Sequence, residues 1–92
     1  MWISRKEPET SPGSAQQPFV IRYILRQRHR PHIYYMQWGG RRPMHTTKIL
    51  LAFQYSSELE AHFSKVWRDF SYMYELVETR IYADHSAEVM IP

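Results

Sequence analysis

The sequence predicts an α+β fold, a two-layer sandwich in which one amphipathic helix packs on one face of an antiparallel sheet, in the order β-β-β-α-β. Three observations support this prediction. Apolar residues alternate with other residues along the first half of the chain, which is typical of half-buried strands. Helical spacing replaces this alternation after Ser56, and alternation returns from Tyr74.

The first two predicted strands follow each other closely. Residues 19–26 alternate between an apolar face and a face that carries two arginines. The RHRP segment at residues 28–31 interrupts this pattern. Residues 32–38 are rich in β-branched and aromatic side chains, which favour a second strand.

The third strand is predicted over residues 48–55, after a longer turn marked by Gly39, Gly40 and Pro43. Alternation in this segment places four apolar side chains toward the core, namely Ile49, Leu51, Phe53 and Tyr55. Because turns of a few residues join antiparallel neighbours, the three strands predict an antiparallel meander.

One amphipathic helix is predicted over residues 58–70. Ser57 and Glu60 form a capping box at its start. Apolar side chains recur at helical spacing along one side, namely Leu59, Phe63, Val66, Trp67 and Phe70. We expect Phe63 and Trp67 to lie in the core, so that alanine at either position creates a cavity and destabilises the fold.

The remaining segments set the predicted domain limits. Residues 74–82 alternate and predict a fourth strand, whereas residues 87–91 fit either a short edge strand or a loop. Residues 1–18 hold three of the six prolines and no periodic apolar pattern, which predicts a disordered N-terminal tail. Residues 19–92 are predicted to form a single domain, because a chain of 92 residues has room for one small core.

Charge is distributed unevenly, although the net charge is only +3. Residues 19–55 contain seven arginine or lysine residues and no acidic residue, whereas residues 56–92 contain three basic and seven acidic residues. No apolar run is long enough to span a membrane, and the N-terminus lacks the pattern of a secretory signal. We therefore expect a cytoplasmic protein with no membrane partner.

The sequence contains no pattern that predicts catalysis, and we expect a protein that is not an enzyme. The absence of cysteine excludes disulfides, thiolate nucleophiles and cysteine-based zinc sites. The five histidines lack the spacing of metal ligands, and the paired Gly39 and Gly40 lack the following lysine of a phosphate-binding loop. No catalytic residue, metal or other cofactor is predicted.

The predicted binding site is the sheet face that the helix leaves open. Arginine combined with aromatic side chains is typical of protein-interface hot spots and equally of nucleic-acid surfaces, which use phosphate contacts and base stacking. Alternation places Tyr34 and Trp38 on one face as anchors. The predicted site residues are Arg22, Arg26, Arg28, Arg30, Arg41, Arg42, Tyr34 and Trp38. In another interpretation these arginines are solvated residues that protect sheet edges against strand addition.

Two resemblances bear on this site. The three strands followed by the run FQYSSELEA at residues 53–61 resemble the sheet-then-helix DNA-binding domains of ethylene-response factors and of integrase arm-binding modules. This resemblance covers residues 19–70 and implies a sheet that enters the major groove. The strand predicted at residues 74–82 and the lack of that family's glycine and tryptophan framework depart from it.

The chain is also similar in size and pattern to small phage and mobile-element proteins, including anti-CRISPR inhibitors. The similar features are the single α+β domain and the run of aromatic strand, Ser-Ser-Glu and amphipathic helix. This resemblance implies an inhibitor that docks on a larger protein or nucleoprotein complex, here through the basic, aromatic sheet face. Direct DNA or RNA binding by that face is the alternative, and a homodimer formed through it is a third interpretation.

Overall fold

The computed structural model describes residues 18–90, so most of the predicted tail lies outside the described residues. The elements, in chain order, are β1 (Phe19–Gln27), β2 (Tyr34–Gly39), β3 (Arg42–Thr46), a 3-10 turn (Ile49–Leu51), α1 (Glu58–His62), α2 (Lys65–Phe70), β4 (Tyr74–Tyr82) and β5 (Ala87–Met90). The strands form one five-stranded antiparallel sheet in the order β3-β2-β1-β4-β5. The prediction of an α+β fold with an antiparallel sheet is confirmed.

The β1–β4 pair forms the centre of the sheet. Its nine residue pairs run without interruption from Phe19↔Tyr82 to Gln27↔Tyr74. Directly opposed residues of an antiparallel pair lie on the same face. We call the face that carries Leu25 the helix face, and the face that carries Ile24 and Val77 the opposite face.

The β2–β3 hairpin differs from the prediction, which placed a longer turn at residues 39–43. A two-residue turn joins Gly39 to Arg42, and β3 begins at Arg42. Gly40 has a φ of 82°, whereas Arg41 does not have a positive φ, which is the pattern of a type II′ turn. Pro43 is tolerated in β3 because β3 is an edge strand.

The strand predicted over residues 48–55 is wrong. Residues 49–51 form a 3-10 turn, and Leu51 and Phe53 are 57% and 44% exposed. The N–H of Phe53 donates to the carbonyl oxygen of Tyr35 over 2.9 Å, and Tyr55 and Tyr23 exchange two backbone hydrogen bonds of 2.8 Å.

Residues 52–55, which we call the crossing segment, therefore lie between β1 and β2. The direct register of these two strands is Arg26↔Tyr34 alone. Ile49 packs against the Ile24 cluster on the opposite face, whereas Tyr55 packs on the helix face, although the predicted alternation put both on one core side. The chain passes through the sheet here, and alternation with a single core side cannot describe such a path.

The predicted single helix is two short helices, which meet at Phe63 and Ser64. The Ser64 hydroxyl donates to the Ala61 carbonyl oxygen over 2.7 Å and accepts from the Trp67 N–H over 3.3 Å. A serine that bonds to nearby backbone groups in this way ends one helix and caps the next. Phe63 is 73% exposed, so its predicted core position is wrong, whereas Trp67 is half-buried against the core.

The core is divided between the two faces. On the helix face it is rich in tyrosine and consists of Leu25, Tyr35, Tyr55, Ala61, Val66 and Tyr74. On the opposite face a smaller cluster forms from Ile24, Ala52 and Val77, and Ile49 packs against it. The opposite face, which was predicted to be open, is therefore partly covered by the 3-10 turn and Ala52.

Candidate binding site

The predicted arginines lie in three separate places. Arg28 and Arg30 are exposed in the connection between β1 and β2, whereas Arg41 and Arg42 are exposed at the hairpin between β2 and β3. These two connections lie at opposite ends of β2, so their four guanidinium groups do not share one pocket. Arg22 lies within β1 and donates to the Ile21 carbonyl oxygen over 2.9 Å.

Arg26 contributes little free charge to the surface. Its Nη2 lies 2.7 Å from Glu75 Oε2, and its Nε donates to the same oxygen over 2.8 Å. The Arg26 side chain is 20% exposed, so this ion pair is shielded from solvent more than a surface pair. Arg26, one of the predicted site residues, therefore already has a carboxylate partner within the fold.

The two predicted anchors, Tyr34 and Trp38, lie on opposite faces of the sheet. The register of β2 shifts between Tyr35 and Gln37, so Met36 is an extra residue that reverses the alternation. Tyr34 packs against the Ile24 cluster on the opposite face, whereas Trp38 packs on the helix face. The prediction that both share one face is wrong because of this bulge.

Trp38 lies beside a groove between the β2–β3 hairpin and α2. One cavity of about 480 Å³ is lined by Arg42, Pro43, Met44, His45, Phe70 and Met73. A second cavity of about 330 Å³ is lined by Trp38, Gly40, Arg41, Lys65, Asp69 and Phe70. Phe70 belongs to both linings, and we call the two cavities together the hairpin groove.

The hairpin sequence shapes one wall of this groove. The turn at Gly40 requires a positive φ, which glycine adopts without strain. A Cβ at Gly39 would collide with the Met44 side chain, so glycine at this position leaves room for the methionine. Both glycines of the hairpin therefore help to place the arginines and Met44 at the groove.

The rim of the hairpin groove is positively charged. Arg41 and Arg42 are exposed, and neither forms an ion pair among residues 18–90. Lys65 donates to Asp69 over 2.9 Å, and this hydrogen bond lowers the pKa of the Asp69 carboxyl. Three cationic side chains and one carboxylate thus line the groove.

The inner wall of the groove is uncharged. His45 and the Tyr74 hydroxyl are joined by a hydrogen bond of 2.7 Å. Burial lowers the pKa of His45 below its ordinary value of 6.5 and raises the pKa of Tyr74 above 10.0. Both groups are therefore neutral near pH 7, and the charge of the site is confined to its rim.

Apolar side chains are unusually exposed around the described domain. Within residues 18–90, ten large hydrophobic residues are exposed, namely Phe19, Val20, Ile21, Met44, Leu50, Leu51, Phe53, Leu59, Phe63 and Tyr72. Met44 lines the hairpin groove, and the Tyr72 ring lies 6.2 Å from the ring of Phe70.

Sequence reasoning identified three residues of the groove and missed the rest. Trp38, Arg41 and Arg42 stood out as aromatic and basic residues around a turn. Phe70 and Met73 lie about 30 residues later and join the groove only because α2 folds over the hairpin. No spacing in the sequence signals that contact.

Residues 18–90 contain no cluster of three or more histidine, aspartate or glutamate side chains that could hold a metal ion. None of the helices in this range is long and apolar enough to cross a membrane.

The chain matches no protein-family model, and neither a curated protein nor a solved structure shows significant similarity to it.

Proposed function

We propose that this protein is a non-enzymatic binding domain that docks on a larger protein or nucleoprotein complex and inhibits or modulates it. The observation that carries the proposal is the hairpin groove, whose apolar lining is bordered by the guanidinium groups of Arg41 and Arg42, which form no ion pair within residues 18–90. An apolar centre with arginine at its edge is the composition of protein-interface hot spots. The resemblance to phage-type inhibitors, including anti-CRISPR proteins, suggests the same class of function.

The docking surface proposed here is smaller than the sheet face that the sequence suggested. It keeps Trp38, Arg41 and Arg42, and it replaces Tyr34 with Phe70 and Met73 from the other side of the groove. The two-layer arrangement of helices over the helix face and a cytoplasmic site of action belong to the same proposal.

Affinity capture with charge-reversal variants tests the proposal. The Arg41→Glu/Arg42→Glu variant reverses the groove rim, and Arg30→Glu/Lys48→Glu makes the same change in charge at exposed positions near the other end of β2. We expect one protein or complex to be retained by the parent and by the control variant and lost by the groove variant. Electrostatic docking predicts that loss, because opposed like charges prevent association. Identical capture by all three proteins contradicts the proposed surface.

Direct nucleic-acid binding is the second candidate function. It is favoured by Arg30, Arg41 and Arg42, which are exposed and have no carboxylate partner among the residues described. Fluorescence anisotropy with duplex DNA, single-stranded DNA and structured RNA at about 50 and 200 mM salt tests it, because phosphate contacts weaken steeply over this range. Tight binding with a slope that falls by about one per removed arginine supports this candidate. Weak binding that is unchanged in the arginine variants excludes it.

A further inference from the structure

We infer that the hairpin groove binds an acidic peptide segment that carries apolar anchor side chains. This inference rests on the docking function proposed above and names the chemistry of the partner. The observations behind it are the shape of the groove, the residues of its walls and the sign of its charge.

The shape fits an extended segment rather than a compact small molecule. The cavities of about 480 and 330 Å³ share Phe70 in their linings, so they lie next to each other, and the larger one is lined by residues of the edge strand β3. Each volume lies in the lower part of the range for ligand pockets, which gives room for an anchor side chain. Two adjoining pockets along a strand provide a place for two anchor side chains of the same segment.

The walls fit apolar anchors. Met44 and Met73 line the larger cavity with Pro43 and Phe70. Methionine side chains are flexible and polarisable, so they adapt to aliphatic or aromatic partners. Pro43 lacks a backbone N–H and weakens any strand added to this edge. The segment is therefore held by its side chains rather than by a backbone ladder.

The positively charged rim of the hairpin groove favours a partner with negative charge. Arg41, Arg42 and Lys65 border the groove, and Asp69 is already engaged by Lys65 at 2.9 Å. An arginine guanidinium can hold a carboxylate through two parallel hydrogen bonds, which gives both attraction and orientation. Glutamate or aspartate residues beside the apolar anchors complement this rim.

A peptide fits the groove better than a single-stranded nucleic acid. Bases need an open aromatic face on which to stack. The Trp38 ring packs against Phe70 at a centroid distance of 5.9 Å, and Lys65 Nζ lies 5.7 Å from its centroid. With two neighbours on its ring, Trp38 serves as a wall of the groove rather than as a stacking platform.

NMR of methionine methyl groups in the full chain tests the inference. The probe is a short synthetic peptide of glutamate with two spaced leucines, and lysine-leucine and glutamate-serine peptides are its matched controls. We expect the glutamate-leucine peptide to shift the methyl signals of Met44 and Met73 and to leave that of Met90, on the other edge strand, unchanged. We expect neither control peptide to shift them.

The same peptide titration, repeated with charge-reversal variants, measures how much the arginines contribute to binding. The Arg41→Glu/Arg42→Glu variant should bind the peptide at least about tenfold more weakly, because two attractive charge contacts at the rim become repulsive. The Lys48→Glu variant, at an exposed position outside the predicted site, should bind within about twofold of the parent, as expected for a charge outside the contact. Unchanged melting temperatures show that both variants are folded.

Three results overturn the inference. The first is the absence of shifts at Met44 and Met73 at peptide concentrations of about 1 mM, the weak limit of specific binding. The second is equal binding by the lysine-leucine peptide. The third is stronger shifts with an oligothymidylate, which would assign the groove to nucleic acid. If capture depends on Arg41 and Arg42 while the peptide fails, the docking proposal stands and only the partner chemistry is wrong.

Discussion

The two short helices, which the sequence predicted as one amphipathic helix, have different surroundings. In α2, Val66 is 1% exposed and contacts the tyrosine-rich core. In α1, only Ala61 is buried, and Leu59 is 65% exposed. Helical spacing of apolar residues thus indicates which side of a helix can pack, but the surface available for packing is decided elsewhere in the chain. The core and the hairpin groove both depend on α2, whereas α1 leaves Leu59, its one large apolar side chain, at the surface.

The largest expected effect is on stability. Truncation of core side chains in α2 should lower the free energy of unfolding much more than truncation of the exposed Phe63 at the end of α1. Val66→Ala should lower the free energy of unfolding by about 2 kcal/mol and Trp67→Ala by about 3 kcal/mol, because both remove packed apolar atoms. Phe63→Ala should change it by no more than about 0.5 kcal/mol, because this side chain is exposed. Urea denaturation measures the differences. Equal losses for Val66→Ala and Phe63→Ala would contradict the comparison.

The next largest expected effect is the loss of stability when either helix cap is removed. Ser64→Ala removes a hydroxyl that contacts both Ala61 and Trp67, so it should cost about 1–2 kcal/mol. Ser57→Ala removes a single 3.1 Å bond from the Glu60 N–H at an exposed position and should cost about 0.5–1 kcal/mol. The same denaturation series ranks them, and threonine at each position is the control because it keeps the capping oxygen. A larger loss at Ser57 would reverse the comparison.

A smaller effect is the pH dependence of stability that comes from His45, which lines the hairpin groove, and from its hydrogen-bond partner Tyr74. Burial lowers the pKa of His45 below 6.5, so the unfolded chain binds a proton there more readily than the folded one. Stability should therefore fall as the pH drops below 6.5, and His45→Gln should remove that part of the decline. Burial also raises the pKa of Tyr74 above 10.0, so stability should fall again as the pH rises past 10.

Melting temperatures of the parent and His45→Gln between neutral pH and about 5.5 measure the acidic part of this dependence. Tyr74→Phe is the matched variant for the alkaline part, because it keeps the ring and removes the ionising hydroxyl. If His45→Gln shows the same acidic decline as the parent, the decline comes from other groups.

The smallest expected effect is the pH dependence of stability that Glu60 contributes at the start of α1. Hydrogen bonds from the Ser56 hydroxyl and backbone N–H, of 2.7 and 2.8 Å, lower the pKa of the Glu60 carboxyl. The stability that these bonds provide is present above the ordinary value of 4.5 and is lost as the pH falls through the folded-state pKa. An NMR titration should show Glu60 and the Ser56 amide changing together below pH 4.5. Titration of Glu60 at or above 4.5 contradicts the capping geometry.

The sequence predicted the long central strands well and the hairpin poorly. Residues 74–82 were predicted as a strand and form β4, and the first predicted strand, residues 19–26, becomes β1 with one additional residue. Both are long regular segments, in which alternation is a strong signal. The third strand was placed at residues 48–55 because apolar residues alternate there, whereas β3 is Arg42–Thr46, a segment with one proline and three polar residues. An edge strand buries little, so its pattern is weak.

One part of the candidate site could be predicted from the sequence, and another part could not. Arginines around a glycine turn are visible in the sequence, and the turn does present Arg41 and Arg42 together. The bulge at Met36 is not visible, because one inserted residue leaves composition and spacing almost unchanged. It nevertheless decides that Trp38 faces α2 while Tyr34 faces the other way.

The sequence by itself determined the fold class, the separation of basic and acidic segments, and the capping of α1 by Ser57. These features depend on neighbouring residues, whose periodicity and hydrogen bonding act over a few positions. The tertiary structure alone decided that the crossing segment passes between β1 and β2, that Phe63 is exposed, and that Phe70 completes the groove. Burial depends on contacts between residues distant in the chain, and local patterns do not specify which distant surfaces meet.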